Sequence, residues 1–203
     1  MKPQKHGSFH QKHSLGQNFI EDEALLSQLA GLSLVTAEDC VLEIGPGFGA
    51  LTKLMRELPQ AKSIAVMIQK EVGDKLLSAP GDDGYGPLAV MCQYRYHVMR
   101  ALDVPAACFN PPPKVDSSFM VLEKLEQPSV NAGDEETFTR LVRSAFAMRR
   151  KTLLNNLVSG FSLNREQAAA CLAAANLSAQ ARAEELSLED FAGLAIQLQN
   201  AIR

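Results

Sequence analysis

The chemistry-bearing residues of this chain begin at a glycine turn. Gly45-Pro-Gly-Phe-Gly49 follows directly on Glu43-Ile44, and a helical pattern starts at Ala50. Glycine there lets backbone approach a ligand closely, and a helix N-terminus offers free N–H groups. The spacing is GxGxG rather than the GxGxxG of dinucleotide binders. A glutamate before the first glycine, with two more glycines after it, suits a nucleotide-like cofactor carrying no phosphate, of the S-adenosylmethionine kind. A plain structural turn is the bland alternative. A second cluster is basic: Arg140, Arg143, Arg149, Arg150 and Lys151, with Lys70 and Lys114 elsewhere. Such a cluster can meet phosphates, or it can be an ordinary solvated helix face. Its spacing puts at least two of Arg149, Arg150 and Lys151 on one helix face.

Composition narrows the classes. The 203 residues are 46% hydrophobic and 21% charged, enough apolar material for a core. Twenty Lys and Arg against 23 Asp and Glu give −3, so nucleic-acid binding requires a local patch. Trp is absent, which disfavours a carbohydrate or aromatic-cage binder. Cys40, Cys92, Cys108 and Cys171 form no CxxC pair and no cluster with His, so free thiols in a reducing cytosol are expected, with no metal. No apolar run reaches the length of a membrane span.

The elements that must position these residues follow from periodicity. Residues 1–14 read as a mobile basic arm. Glu21–Leu32 is a helix with acidic residues in its first turn. Asp39–Ile44 and Ser63–Ile68 are buried strands, and strand, glycine turn, helix opens a doubly wound α/β domain. Further on, Gln69–Ser78 and Pro87–Tyr96 are helices, with His97–Val104 and Asp116–Leu125 as strands. Phe109-Asn-Pro-Pro-Pro113 is an extended turn whose prolines exclude a ladder. A boundary falls near residue 127. Beyond it come helices at Glu135–Met148, Arg150–Val158, Arg165–Ala175 and Leu188–Ile202, with Asn164, Ser178 and Ser187 as N-caps.

Taken together, Leu15-Gly-Gln-Asn-Phe-Ile20, Glu43-Ile-Gly-Pro-Gly47, Gln69-Lys-Glu-Val72, Phe109-Asn-Pro-Pro-Pro-Lys-Val-Asp-Ser117, Ser144-Ala-Phe-Ala-Met-Arg-Arg-Lys-Thr152 and Arg182-Ala-Glu-Glu-Leu-Ser187 closely resemble the rRNA adenine N6,N6-dimethyltransferase family. The resemblance implies a Rossmann-like methyltransferase domain over residues 15–126 and a small all-α domain over 127–203. It implies S-adenosylmethionine as cofactor and, as substrate, two adjacent adenines near the 3′ end of small-subunit rRNA. It also implies a cytoplasmic monomer acting on the immature small ribosomal subunit. Gln17, Asn18 and Ile20 resemble the family's N-terminal cofactor contacts. Glu43, Gly45 and Gly47 would lie at the cofactor, and Phe109 would pack against the flipped adenine.

The chain departs from the family in one place. The strand carrying an acidic residue for the cofactor ribose, the strand carrying an Asp near its adenine, and the Asn-Leu/Ile-Pro-Tyr segment that holds the target amine are all missing. Lys53–Leu58 already resembles the helix that normally follows that last segment, so the junction falls near residues 51–54. A βαβ unit takes about 30 residues, so roughly 60–80 are absent. Little methyl transfer is expected of such a chain, and a catalytically dead rRNA-binding remnant is the alternative. A NAD-type oxidoreductase and a methyltransferase acting on DNA fit the motifs less well.

Overall fold

The computed structural model describes residues 18–33 and 61–202. The strand at 39–44, the glycine turn and the junction near 51–54 lie outside them, as does the arm 1–14.

Strands β2 (Ser63–Gln69), β5 (Ser117–Lys124) and β3 (Tyr96–Val104) form a three-stranded sheet in that order. Both β2 and β3 run antiparallel to β5, so they point the same way with β5 between them. The near-continuous apolar run of β5 is that of a strand covered on both faces. Met120 and Leu122 pack with Leu76, Cys92 and Tyr96 on one side, while Phe119 and Val121 pack with Leu29 and Val104 on the other. A second ladder joins β1 (Phe19–Ile20) and β4 (Phe109–Asn110), two residues each. The extended turn was expected to carry no ladder. In fact Phe109 and Asn110 pair, and the ladder stops where Pro111, Pro112 and Pro113 offer no N–H.

Local signals account for most helix starts. The Asp22 carboxylate accepts from the N–H groups of Ala24 and Leu25 and opens α1 (Glu23–Leu32). Helix α2 (Lys70–Leu77) follows β2 without a break. Pro87 occupies the first turn of α3 (Pro87–Arg95), where its missing N–H costs nothing. Asp134 caps α4 (Glu135–Ala145) and Asn164, with Gln167, forms a capping box on α6 (Arg165–Ala174). The Ser187 hydroxyl accepts from Asp190 N–H at the start of α7 (Leu188–Ile202). Ser178, expected as a cap, begins no α-helix; its hydroxyl accepts from Gln180 N–H within a turn.

One helix ends earlier than its periodicity suggests and the next starts later. Residues 135–148 and 150–158 were expected to be helical, but α4 ends at Ala145 and α5 spans Leu153–Phe161. Asn156, buried in α5, donates its Nδ2 to the carbonyl oxygens of Ala145 at 2.7 Å and Met148 at 3.4 Å. Carbonyls satisfied from a neighbouring helix no longer need an N–H further along their own. A turn over residues 146–151 results.

Helix α3 joins the two halves. Cys92 faces the sheet, while Ala89, Val90 and Tyr94 belong to the large core built by α4–α7. The Tyr94 ring stacks on Phe138 of α4 with centroids 4.2 Å apart, and Arg95 pairs with Glu135. Before it, Tyr85 OH donates to Leu186 O at 2.9 Å and Gly81 N–H to Glu184 O at 2.8 Å. No helix among the described residues is long and apolar enough to cross a membrane.

Candidate functional site

The ladder of β1 and β4 builds the first part of the site. Its register sets Ile20 opposite Phe109 and Phe19 opposite Asn110. Ile20 and Phe109 are half-buried and pack with Leu25 and Leu32 against Leu29, Val104, Phe119 and Val121. Asn18, exposed, immediately precedes β1. A single-turn helix at Ala106–Cys108 delivers Phe109, and the Asp116 carboxylate holds the Ala106 N–H at 2.9 Å. Lys70 N–H donates to the Asp116 carbonyl at 2.9 Å, which ties the far end of the same loop to α2. Gln17, Glu43, Gly45 and Gly47 lie outside the described residues, so the structure brings together Asn18, Ile20 and Phe109 of the expected set. Sequence reasoning missed Asp116 and the pair Glu21–Asn110, whose side chains are hydrogen-bonded at 3.0 Å. Asp116 stands inside the quoted Phe109–Ser117 segment, the one signal that could have found it.

The basic residues fall into three environments rather than on one helical face. Arg140 is engaged within the fold: its Nε and Nη2 donate to Gly160 O at 3.1 and 2.8 Å, and its guanidinium lies 4.6 Å from the Phe161 ring centroid. The helices approach closely there, since a Cβ on Gly160 would fall 2.4 Å from Ser144 Oγ. Arg140 and Arg143 line an open groove of about 630 Å³ with Glu136, Ser144 and Gly160. Arg149, Arg150 and Lys151 were expected on a helix, but occupy the 146–151 turn because α4 ends at Ala145. All three are exposed and, with Met148, line a separate depression of about 330 Å³. A turn projects successive side chains outward more freely than one helix face can. Lys114 is exposed in the proline-rich loop. Lys70 is ion-paired with Asp103 at 3.1 Å, so part of its charge is already answered. The Asp103 carboxyl is held below its ordinary range, first by the Ser118 hydroxyl and then by Lys70.

The sequence model of the ribosomal RNA adenine dimethylase family matches residues 8–63 and 53–200. The chain belongs to this family. Its match comes in two segments that meet at residues 53–63. The chain is 32% identical over 256 residues to ribosomal RNA small subunit methyltransferase A of Syntrophotalea carbinolica, covering 93% of the chain and 97% of the relative. It is 31% identical over 257 residues to the same-named protein of Geobacter metallireducens, covering 90% and 94%. Both alignments are longer than the 203-residue chain itself. A dimethyladenosine transferase from Plasmodium falciparum superposes with a TM-score of 0.64 at 21% identity, covering 81% of the chain and 70% of that structure. The 23S rRNA methyltransferase ErmE gives 0.56 at 23% identity, covering 77% and 63%. The rRNA adenine dimethylase family is thus matched in sequence across both the sheet and the helices, and the fold is that of its methyltransferase neighbours.

Proposed function

We propose that this rRNA adenine dimethylase takes S-adenosylmethionine as cofactor and the N6 amines of two adjacent adenines near the 3′ end of small-subunit rRNA as substrate, acting as a cytoplasmic monomer on immature small subunits. The observation that carries this reading is the Ile20–Phe109 cross-strand pair. It fixes the proposed cofactor arm beside the proposed base-packing aromatic, although the two are far apart in the chain. The described part of the set fits the cofactor: Asn18 is an exposed amide residue at the start of a strand whose backbone is held in register, with its own partner in the fold. With it, Gln17, Ile20, Glu43, Gly45 and Gly47 would hold the cofactor, which supplies a methyl group on sulfonium sulfur when bound.

What the chain itself supplies is position. An adenine N6 lone pair needs alignment with the methyl more than it needs a base. Phe109 would restore by stacking part of the free energy lost when the adenine leaves its helix. Arg143, Arg149, Arg150 and Lys151, with Lys114, would hold rRNA phosphates. Arg140 and Lys70, engaged with Gly160 and Asp103, would contribute less than the exposed cations. The chain carries no Asn-x-Pro-Tyr sequence, and with it go the acceptors for the amine. We therefore expect rRNA binding with little methylation. The two-segment family match and the over-length alignments support a deletion between them. This favours, as second reading, an rRNA-binding remnant.

One experiment separates these. Unmethylated small subunits are incubated with the chain and methyl-labelled S-adenosylmethionine, and subunit binding is measured in parallel over a range of salt. The expected result is retained binding with background methylation. Replacing Arg149, Arg150 and Lys151 by Gln should flatten the salt slope by roughly 0.7–0.9 for each phosphate no longer neutralised. Full methylation would overturn the inactivity. Absence of binding, or an unchanged slope, would remove the turn from the rRNA interface.

A further inference from the structure

β1 and β4 have two residues each, far below the length at which a two-stranded ladder holds itself together. Something beside the ladder must fix it. Part of that is apolar: Ile20 and Phe109 share the cluster of Leu29, Val104, Phe119 and Val121. Over only two residues the apolar pattern specifies register weakly. A directional support is the side-chain bond from Asn110 Nδ2 to Glu21 Oε1, 3.0 Å long and bridging 89 residues. It crosses the ladder diagonally, because Asn110 lies opposite Phe19 while Glu21 lies just beyond Ile20 at the other end.

The ladder is bounded at each end. On one side Asp22 is committed to capping α1. On the other, Pro111 to Pro113 have no N–H to extend the pairing. Between these stops the Glu21–Asn110 bond ties the strand of Phe109 to that of Ile20.

We propose that Glu21 and Asn110 are positioning residues that lock the cofactor arm to the target-base aromatic, so that cofactor bound at Asn18–Ile20 also orders Phe109. The inference rests on the functional reading above. Its physical basis is that ladder bonds belong to both strands, so a ligand that holds β1 closed holds β4 closed as well. The ladder lies at the surface, where local opening is easy and a ligand has an open population to suppress. Coupling of this kind is reciprocal: a base stacked on Phe109 would in turn tighten the cofactor arm.

Hydrogen exchange on the full chain tests it, with and without S-adenosylhomocysteine, which occupies the cofactor site without turnover; calorimetry establishes binding in parallel. In the unaltered chain, exchange across residues 18–20 and 106–110 should slow together, by about fivefold for a ligand that suppresses an opening worth one hydrogen bond. Asn110→Ala and Glu21→Leu should keep the slowing at 18–20 and lose most of it at 106–110. Glu21→Gln, which retains an oxygen acceptor, should behave as the unaltered chain. A merely structural role would raise exchange in both segments without cofactor and would not split its effect between them. Slowing confined to 18–20 in the unaltered chain, or undiminished coupling in both loss variants, overturns the lock and leaves the functional reading standing. Absence of both slowing and binding heat overturns that reading, and the lock with it. If a loss variant fails to fold, the unaltered chain and Glu21→Gln still decide.

Discussion

The core around α3 and the cluster beneath Phe109 are built from similar residues but to different depths. At the first, Val90, Tyr94, Phe138, Leu141, Leu157 and Phe191 are all essentially inaccessible to solvent. Beneath Phe109, only Leu29, Val104, Phe119 and Val121 are buried, while Ile20, Leu25, Leu32 and Phe109 itself stay half-exposed. A residue proposed to meet a base cannot also be sealed into a core, and segments that open for ligands come from the less stable part of a fold. The helices that carry Arg143 and the 146–151 turn are bolted to the sheet through Tyr94–Phe138 and Tyr85–Leu186. The helices carrying the exposed cations are thus fastened to α3, whereas the ladder carrying Phe109 is held by fewer buried contacts.

Truncation should expose that difference directly. Phe138→Ala removes a fully buried ring stacked on Tyr94, and should cost about 3–5 kcal/mol in urea unfolding. Sheet and helices should lose structure in one transition, because α3 belongs to both cores. A loss under about 1 kcal/mol, or separate transitions, would break the picture of a shared joint. Phe109→Ala removes a ring of the same size from a half-buried position. It should cost about 1–2 kcal/mol, roughly in proportion to the apolar area withdrawn. If the two losses were equal, Phe109 would be a core residue and unavailable to a base. Next in size is Tyr85→Phe, which leaves the Leu186 carbonyl without its buried donor and should cost about 1–2 kcal/mol. Burial, then Asp190 and Glu189, push the Tyr85 phenol up to about 12. Its contribution is therefore complete below the ordinary value of 10.0 and lost as pH rises towards 12. Alkaline denaturation should be shifted in the unaltered chain and lack this component in the Phe variant.

The same contrast governs what could be read in the amino-acid sequence. The Asn164–Gln167 capping box, Pro87 and the apolar run of β5 declare themselves through local chemistry, and the corresponding elements stand within a residue or two of expectation. The end of α4 does not. The pattern reads as helix up to Met148, and what ends α4 at Ala145 is Asn156 reaching back from α5. Long-range pairing of β1 with β4 leaves no periodic trace, because two residues are too few to show one. Consequently the proposed site residues, such as Phe109 and the Arg149–Lys151 run, stand out by type in the sequence, whereas the residues that support them do not. Asp116, Asn110 and Glu21 act through partners that only the fold brings near.

The smallest effect distinguishes the two regions by their electrostatics. Asp134, at the head of α4, and Asp103, beside α2, both have carboxyls held below the ordinary value of 3.8. A carboxyl lowered on folding stabilises the folded chain at pH above its unfolded value, and this is lost as pH falls through the folded one. Both should therefore contribute to acid unfolding only below about pH 4. Their causes differ. Asp134 is lowered by the Thr137 hydroxyl and then the Thr137 backbone N–H, all neutral donors. Asp103 is lowered first by the neutral Ser118 hydroxyl at 2.7 Å, but also by charged Lys70 and Arg100. Salt screens charges and leaves neutral hydrogen bonds nearly untouched. Carboxyl titrations followed by NMR at about 0.05 and 0.5 M salt should therefore move Asp103 upward and Asp134 hardly at all. Lys70→Gln should raise Asp103 in low salt and abolish most of its salt response. Equal responses at the two carboxyls would mean that the Lys70–Asp103 pair is not formed in solution, and would return Lys70 to the set of cations free to meet rRNA.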